Sequence, residues 1–524
     1  MSLSLTFWNW LLALLPLLAV VVLMLVFRWG GGRAGGVGWL IAVVVAVFFF
    51  GAGFELLAVA QVKSALLSLD VFYIIWTALL LFSMTKRAGA IDMIGKAMTG
   101  LTEDRVMQSI LISWVMVAFL QGTGGFGVPV AICAPLLVGL GFSPIQAVAM
   151  ASVGHGWAVS FGSFASSFQT LTAVTGLPWQ TLAPLSALFL GMAAFPCGLL
   201  VVIIGNGWKS LKRGLIPVLL LSILMGTVQY VLVVNGVWTM GATGAGLVGL
   251  VALFLMLRLP KYRNQHDSRD ISPSDEVAEE GKSLWVSLIG YGILVALAFA
   301  VNLISPLKAF LNQVALRLEF PEVTTSFGWV SPAGAGQVIH VLSHPGALIL
   351  YTCILSFVLF RWLGYLKAGD LRRIIGDVVR SGVNSSTGIL AMVGMASIML
   401  HSGMTILLAQ GLSESFSQAF YPIVAPFIGA LGAFITGSNM NSNVLFAVLQ
   451  QNTADMMNLS VPLILAAQTA GASLGSVLAP SKVIVGCSTV GLAGKEGEVM
   501  RKMLFYGIIP IVIVALTALI ISRV

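Results

Sequence analysis

"AFLQGTGGFGVPVAI", Ala118 to Ile132, decides how the rest of the chain is read. It joins two apolar runs, yet Gly122, Gly124, Gly125, Gly127 and Pro129 interrupt any helix that crosses it. Broken backbone is tolerated at membrane depth only where it lines a protein cavity. The surroundings place this break at such a depth. The 524-residue chain is 58% hydrophobic and 9% charged, with a mean hydropathy of +1.00, whereas soluble domains carry about a quarter charged residues.

A spanning helix needs about 20 apolar residues. Apolar runs recur near 5–27, 37–56, 66–85, 106–120, 129–141, 145–170, 184–206, 214–235, 241–257, 284–304, 345–360, 386–408, 420–436, 443–450, 461–478 and 503–522. The expected fold is an all-α polytopic membrane protein of roughly 12–14 membrane elements, the shorter ones half-helices. The first run lacks a basic leader and is too long for a secretory signal, so it reads as a true first span.

The net charge of +8 does not point to nucleic acid. The basic residues cluster in short loops, such as Lys86/Arg87, Lys209/Lys212/Arg213 and Arg361/Lys367/Arg372/Arg373. Such clusters mark the cytoplasmic side, with lipid headgroup contact as a secondary role. This pattern puts the N-terminus outside and the central loop in the cytoplasm. That loop, 258–283, is polar and of mixed charge, and it divides the chain into transmembrane halves 1–257 and 284–524. A second wet segment, about 307–343, falls outside by span counting. "AGDLRRIIGDVVRSG", from Ala368, is amphipathic and is expected in the cytoplasmic interface. Asp70 and Glu55 fall near outer span ends and read as interfacial. Cys133, Cys197, Cys353 and Cys487 lie in apolar surroundings with no CxxC and read as buried thiols.

The halves share a repeat. "AFLQGTGGFGVPV" from Ala118 aligns with "AFITGSNMNSNVL" from Ala433, and "GHGWAVSFGS" from Gly154 aligns with "AQTAGASLGS" from Ala467. Ser160, Gly162 and Ser163 thereby fall on Ser473, Gly475 and Ser476. The hairpin motifs occupy about 118–164 and 433–482. Charge counting enters the first from the cytoplasm and the second from outside, which is an inverted-topology repeat of the kind that builds secondary transporters.

Broken helices at the midplane offer free N–H groups and a positive dipole end to an anion. In the first motif Gln121, Gly122, Thr123, Gly124 and Gly125 form the candidate site. The glycines serve either close approach to a solute or helix packing. In the second, Thr436, Gly437, Ser438, Asn439, Asn441, Ser442 and Asn443 supply neutral donors and acceptors, suited to a carboxylate plus hydroxyl or to cation coordination. The aligned blocks add Ser160, Ser163, Gln468, Ser473 and Ser476.

His155 is an ionisable group within an apolar stretch. It is either a proton carrier or a neutral histidine bonded between helices. Lys482 either attracts an anion or snorkels to the interface. Ser160 or Ser163 with His155 does not make a hydrolase, because no GxSxG elbow or orienting acid accompanies them. There is no Walker motif, and no cofactor, metal or enzymatic activity is expected.

"FLQGTGGFGVPVAI", "LLVGLGF", "ITGSNMNSNVLFA" and "VGLAGKEGEVMR" resemble the bacterial L-lactate permease family over most of the chain, most closely over 115–165 and 430–502. The resemblance implies an inner-membrane carrier for L-lactate, and often glycolate, coupled to protons. It also implies kinship with the broader ion transporter superfamily, with a scaffold domain and a moving transport domain that bears two hairpins. Members of that family have Glu where Gln121 stands, Asp where Asn439 stands and Asn where His155 stands, and they lack a lysine at the position of Lys482. With those acids gone, His155 becomes the candidate for proton coupling. A carrier of another organic anion, such as a dicarboxylate, and an anion channel are the remaining readings.

Overall fold

In hydrocarbon every backbone N–H and C=O must be bonded within the protein, so apolar runs of this length fold as helices. The computed structural model describes the chain apart from residues 1–4, 28, 91–100, 125–126, 260–261, 263–288, 291, 295, 298–299, 302–303, 337, 493–495 and 524, and apart from the side chains of Leu25, Asn384, Ser385, Ser481 and Ser488. Most of the central loop, and part of the run at 284–304, lie outside the described residues.

The described helices are α1 (Phe7–Leu25), α2 (Gly31–Phe50), α3 (Phe54–Arg87), α4 (Arg105–Thr123), α5 (Val128–Gly139), α6 (Pro144–Gly154), α7 (Ser166–Thr175), α8 (Trp179–Asn206), α9 (Leu211–Val234), α10 (Gly241–Leu257), α11 (Ser305–Leu311), α12 (Pro345–Trp362), α13 (Asp370–His401), α14 (Met404–Ser415), α15 (Tyr421–Thr436), α16 (Asn439–Met456), α17 (Val461–Ser476), α18 (Pro480–Thr489) and α19 (Glu496–Ile521). Among the described residues ten helices are long and apolar enough to cross a membrane. Others, such as α5, α6, α7 and α18, are too short to do so alone.

Among the described residues the strands all belong to one nested hairpin in the segment read as wet. Ala315–Leu316 pairs with Ile339–His340, Glu319–Phe320 with Gly334–Ala335, and Val323–Thr324 with Val330–Ser331, all antiparallel. Its tip docks on the end of α2, where the Ser326 N–H donates to the Gly51 carbonyl at 2.8 Å.

Three boundaries differ from the sequence expectations. The run at 145–170 is not one span but two helices, α6 and α7, separated by residues 155–165. The run at 386–408 breaks at Ser402–Gly403, with Gly403 at φ +86°. The amphipathic stretch at 368–382 is no separate interfacial helix; it runs on as the first turns of α13, burying Ile374 and Val378 while Leu371, Ile375 and Val379 stay exposed.

Two main apolar cores result. One gathers α4–α6, α8–α10, α15, α17 and α19 around Trp114, Trp157, Phe161 and Phe168. The other gathers α1–α3, α13 and α14. Helix α16 lies between them, with Met440, Val444 and Leu445 in the second core and Ala447 and Ala454 in the first. Within the first core, helices meet backbone to backbone through glycine. A Cβ on Gly471 would lie 1.9 Å from the Pro426 carbonyl oxygen, and one on Gly154 only 1.7 Å from that of Ser113. Ser113 belongs to a π-helical stretch, Leu111–Met116, a local widening common beside functional sites.

The element order repeats. In α4–break–α5, α6–break–α7 and then α8, each piece has a counterpart in α15–break–α16, α17–break–α18 and then α19.

Candidate functional site

Four breaks create the site. The first, after α4, contains Gly125 and Phe126, which lie outside the described residues, and α5 resumes behind Gly127 at φ +89° with Pro129 in its first turn. The second, residues 155–165, ends on Ser163, Phe164 and Ala165, all at positive φ (48°, 54° and 59°). Three consecutive non-glycine residues in the left-handed region cost energy that surrounding contacts must offset. Here the offset comes from the first break: the Ser163 N–H donates to the Gln121 carbonyl at 2.8 Å, and the Phe164 N–H to the Gly122 carbonyl at 3.0 Å. The end of α4 thus finds partners for carbonyls that its own helix leaves free.

The third break is a tight turn, with Gly437 at φ +73° closing α15 and Ser438 capping α16 by accepting from the Asn441 N–H. The fourth, Val477–Ala479, separates α17 from α18, which starts at Pro480.

The second break packs on α17 and α16 and forms a buried hydrogen-bonded knot. Asn439 Nδ2 donates to Ser160 Oγ at 2.8 Å. Ser160 Oγ lies 3.1 Å from the Thr469 carbonyl and 3.3 Å from Thr469 Oγ1. Asn443 Nδ2 donates to the Ser167 carbonyl and to Thr469 Oγ1, both at 3.1 Å. The Ser160 N–H donates to Ser473 Oγ at 3.2 Å, and that hydroxyl donates to the Gly156 carbonyl at 2.7 Å. Ser160 and Ser473 are the residues that the sequence repeat aligns with each other. From Ser473 the chain of bonds continues through Ser476 Oγ to Lys482 Nζ, 3.2 Å away. Lys482 is only 8% exposed. Two turns before Ser476 on α17, Gln468 accepts from Gln450 Nε2 and donates to Ser442 Oγ.

Among the described residues several buried acceptors have no hydrogen-bond partner: Asn439 Oδ1, Asn443 Oδ1, Gln121 Oε1 and His155 Nε2. The amide of Asn443 cannot be turned round, because its nitrogen faces the Ser167 carbonyl, which only accepts. His155 is fixed in the same way. Its Nδ1 lies 2.7 Å from the Ala151 carbonyl and must carry the proton, so Nε2 presents a lone pair. The His155 ring is also within electrostatic reach of Lys482. Unpaired buried acceptors are costly, and a hydroxyl, a proton, a cation or a water would satisfy them.

Other residues named from the sequence lie elsewhere. Thr123 and Thr436 bond carbonyls of their own helices. Ser438 serves as a helix cap. The Asn441 side chain is directed toward Gly31 of α2, and its Oδ1 is also unpartnered. At Gly122 a Cβ would lie 2.5 Å from the Thr243 backbone nitrogen, which makes this glycine a packing position against α10. At Gly124 a Cβ would lie 2.9 Å from the Phe82 ring of α3.

Two buried groups are not legible in the sequence. Thr469 sits at the centre of the knot but inside unbroken α17, where nothing marks it. Asp70 is not interfacial: it is 1% exposed, accepting from Gln169 Nε2 of α7 at 2.7 Å and from His344 Nε2 at 3.0 Å. His344 Nδ1 accepts the Gly346 N–H, so Nε2 holds the ring proton. Glu55 is exposed near the start of α3.

A family model described as L-lactate permease matches residues 9–524. An L-lactate permease of Bacillus subtilis (strain 168) is 26% identical, over 97% of this chain and 94% of its own length. The glycolate permease GlcA of Escherichia coli (strain K12) is 25% identical, over 95% of this chain and 93% of its own length. Among solved structures, the Alcanivorax borkumensis YdaH transporter is 13% identical, covering 85% of this chain and 84% of that one, with a TM-score of 0.42.

Proposed function

The chain belongs to the L-lactate permease family, and from that premise we propose that it is a secondary carrier of L-lactate, or of glycolate or a similar small 2-hydroxy monocarboxylate, across the plasma membrane by proton symport. The observation that carries this reading is the knot where Ser160 meets Ser473. There the side chains of Asn439 and Asn443, whose carbonyl oxygens have no partner among the described residues, connect through Ser160, Thr469, Ser473 and Ser476 to the buried ammonium of Lys482. A 2-hydroxy acid matches both: its hydroxyl donates to an amide oxygen, and its carboxylate accepts from the ammonium and from amide N–H groups.

In this reading α4–α8 and α15–α19 are inverted repeats of a transport domain, and α1–α3 with α12–α14 are the scaffold. The two cores and the position of α16 between them support that division. Substrate carboxylate and proton bind together because a neutral pair avoids the cost of a lone charge in the membrane. His155 Nε2, a buried lone pair without a partner among the described residues, is the proton acceptor, and it takes the proton once the substrate carboxylate offsets the positive charge of Lys482. The free carbonyl oxygens also suit a monovalent cation, so replacement of Na⁺ by choline separates the two coupling ions.

The test is uptake of labelled L-lactate into proteoliposomes under an inward proton gradient, with a panel of competing carboxylates. His155→Gln is expected to abolish gradient-driven accumulation while leaving lactate–lactate exchange. Full accumulation by that variant would show that the proton is carried elsewhere. Accumulation by the unaltered protein of a dicarboxylate in preference to lactate would overturn the substrate.

A further inference from the structure

A cavity of about 570 Å³ lies outside the knot, between α3 and α13 on one side and α7 and α16 on the other. Ala335, Gly336 and Val338 of the hairpin also line it. Leu67, Val174, Val393, Leu400, Val444 and Val448 form the apolar part of its wall. Thr175, Ser397 and His401 add polar groups, and the charged residue is Lys63. Its ammonium stands 3.2 Å from His401 Nε2 and 5.3 Å from the centre of the Phe320 ring. His401 Nδ1 is 2.8 Å from the Ser397 carbonyl and so carries the ring proton, leaving Nε2 to accept from the lysine. The histidine therefore brings no negative charge. Among the described residues the ion pairs are Arg87–Asp370, Arg213–Asp104, Arg317–Glu319 and His344–Asp70, and Lys63 is in none of them. Among the described residues no acidic side chain pairs with Lys63, and such a cation in a partly apolar chamber concentrates anions there.

We propose that this cavity is a second carboxylate site, in which Lys63 takes the anionic end of the transported acid before it reaches the knot. The inference rests on the monocarboxylate reading above. The wall supports it, because Val444 and Val448 lie on the helix that carries Asn439 and Asn443, and Val174 lies on the helix whose Ser167 carbonyl holds Asn443. Ligand in the chamber is thus one helix face from the knot. The apolar walls suit the methyl of a three-carbon acid and disfavour a second carboxylate.

Two measurements test this. In proteoliposomes, Lys63→Gln is expected to raise the KM for labelled L-lactate about tenfold with the maximal rate within about twofold, and Lys63→Arg is expected to restore the KM, as loss of an electrostatic capture step predicts. An unchanged KM in Lys63→Gln overturns the proposal. Should Lys63→Gln fail to accumulate, Val448→Cys keeps the lysine and reads the cavity directly. The native cysteines are all buried, so the new thiol is the one expected to react with sulfonatoethyl methanethiosulfonate. L-lactate is expected to slow that reaction. Protection by acetate or malate but not lactate supports the carboxylate site and overturns the substrate named above. Protection by no carboxylate overturns the site.

Discussion

Asp70→Ala is expected to be among the most destabilising single substitutions in the protein. The carboxyl is buried in α3 and accepts from His344 Nε2 and from Gln169 Nε2. Alanine leaves both donors without a partner in a site that water does not reach. Each such donor costs about 1–3 kcal/mol, so the loss is about 2–6 kcal/mol in total. His344 cannot turn away easily, because its Nδ1 holds the Gly346 N–H at the start of α12 and its ring stacks on Tyr73 with an interplanar angle of 4°. Asp70→Asn keeps the shape and one accepting oxygen and is expected to lose roughly half as much. Melting in detergent, followed by intrinsic fluorescence, reads both variants. If Asp70→Ala melts within a degree of the unaltered protein, the Asp70 cluster does not tie α3 to α7 as described.

A second large effect is expected at Gly154. Its Cα lies against the Ser113 carbonyl, and a methyl there would sit 1.7 Å from that oxygen and 2.8 Å from the carbonyl carbon. Backbone cannot step aside as a side-chain tip can, so α4 and α6 must separate. Overpacking costs typically about 1–3 kcal/mol and more where the backbone must shift. Gly154 immediately precedes His155 and the second break, so the displacement carries into the knot. Gly154→Ala is expected to lower the yield of folded protein severalfold and to abolish uptake in what remains. Gly139→Ala is the control: a Cβ at Gly139 meets nothing within 4 Å, and wild-type yield and uptake are expected. Equal behaviour of the two alanine variants would show that the α4–α6 contact is not so close.

The first and third breaks are legible in the sequence because glycine, or a run of polar residues after glycine, interrupts an apolar run there, whereas the break at 155–165 lies in a run that reads as one span. The motifs at Ala118 and Ala433 pair by residue pattern alone. The knot is legible in part. Ser160, Asn439, Asn443, Ser473 and Lys482 stand out in the sequence, but Thr469 does not. It occupies an unbroken helix, and what makes it central is which helix packs on it. Asp70 is misread as interfacial for a different reason. Hydropathy starts the span around it at Leu66, whereas α3 begins at Phe54. The turns before Leu66 are less apolar, yet they bury one face against α13 and the hairpin. Lys63 and His401 are 338 residues apart, and no periodicity joins them. The hairpin at 315–340 is hidden by its short ladders, each two residues long. Gly122 shows the limit of motif reading, since glycine for a solute and glycine for a neighbouring helix look alike until Thr243 is seen against it.

The central claim is that the contact between the two repeats, where Asn439 reaches Ser160, holds the transported acid. Asn439→Ala tests it with little structural disturbance, because Ser160 Oγ keeps its bond to the Thr469 carbonyl. The measurement is counterflow of labelled L-lactate in proteoliposomes preloaded with unlabelled lactate. The unaltered protein is expected to show a transient overshoot. Asn439→Ala is expected to slow the exchange at least about tenfold, equivalent to about 1.4 kcal/mol, with melting within a few degrees of the unaltered protein. Counterflow at the unaltered rate in Asn439→Ala would contradict the account, because the acid would then cross without touching the knot.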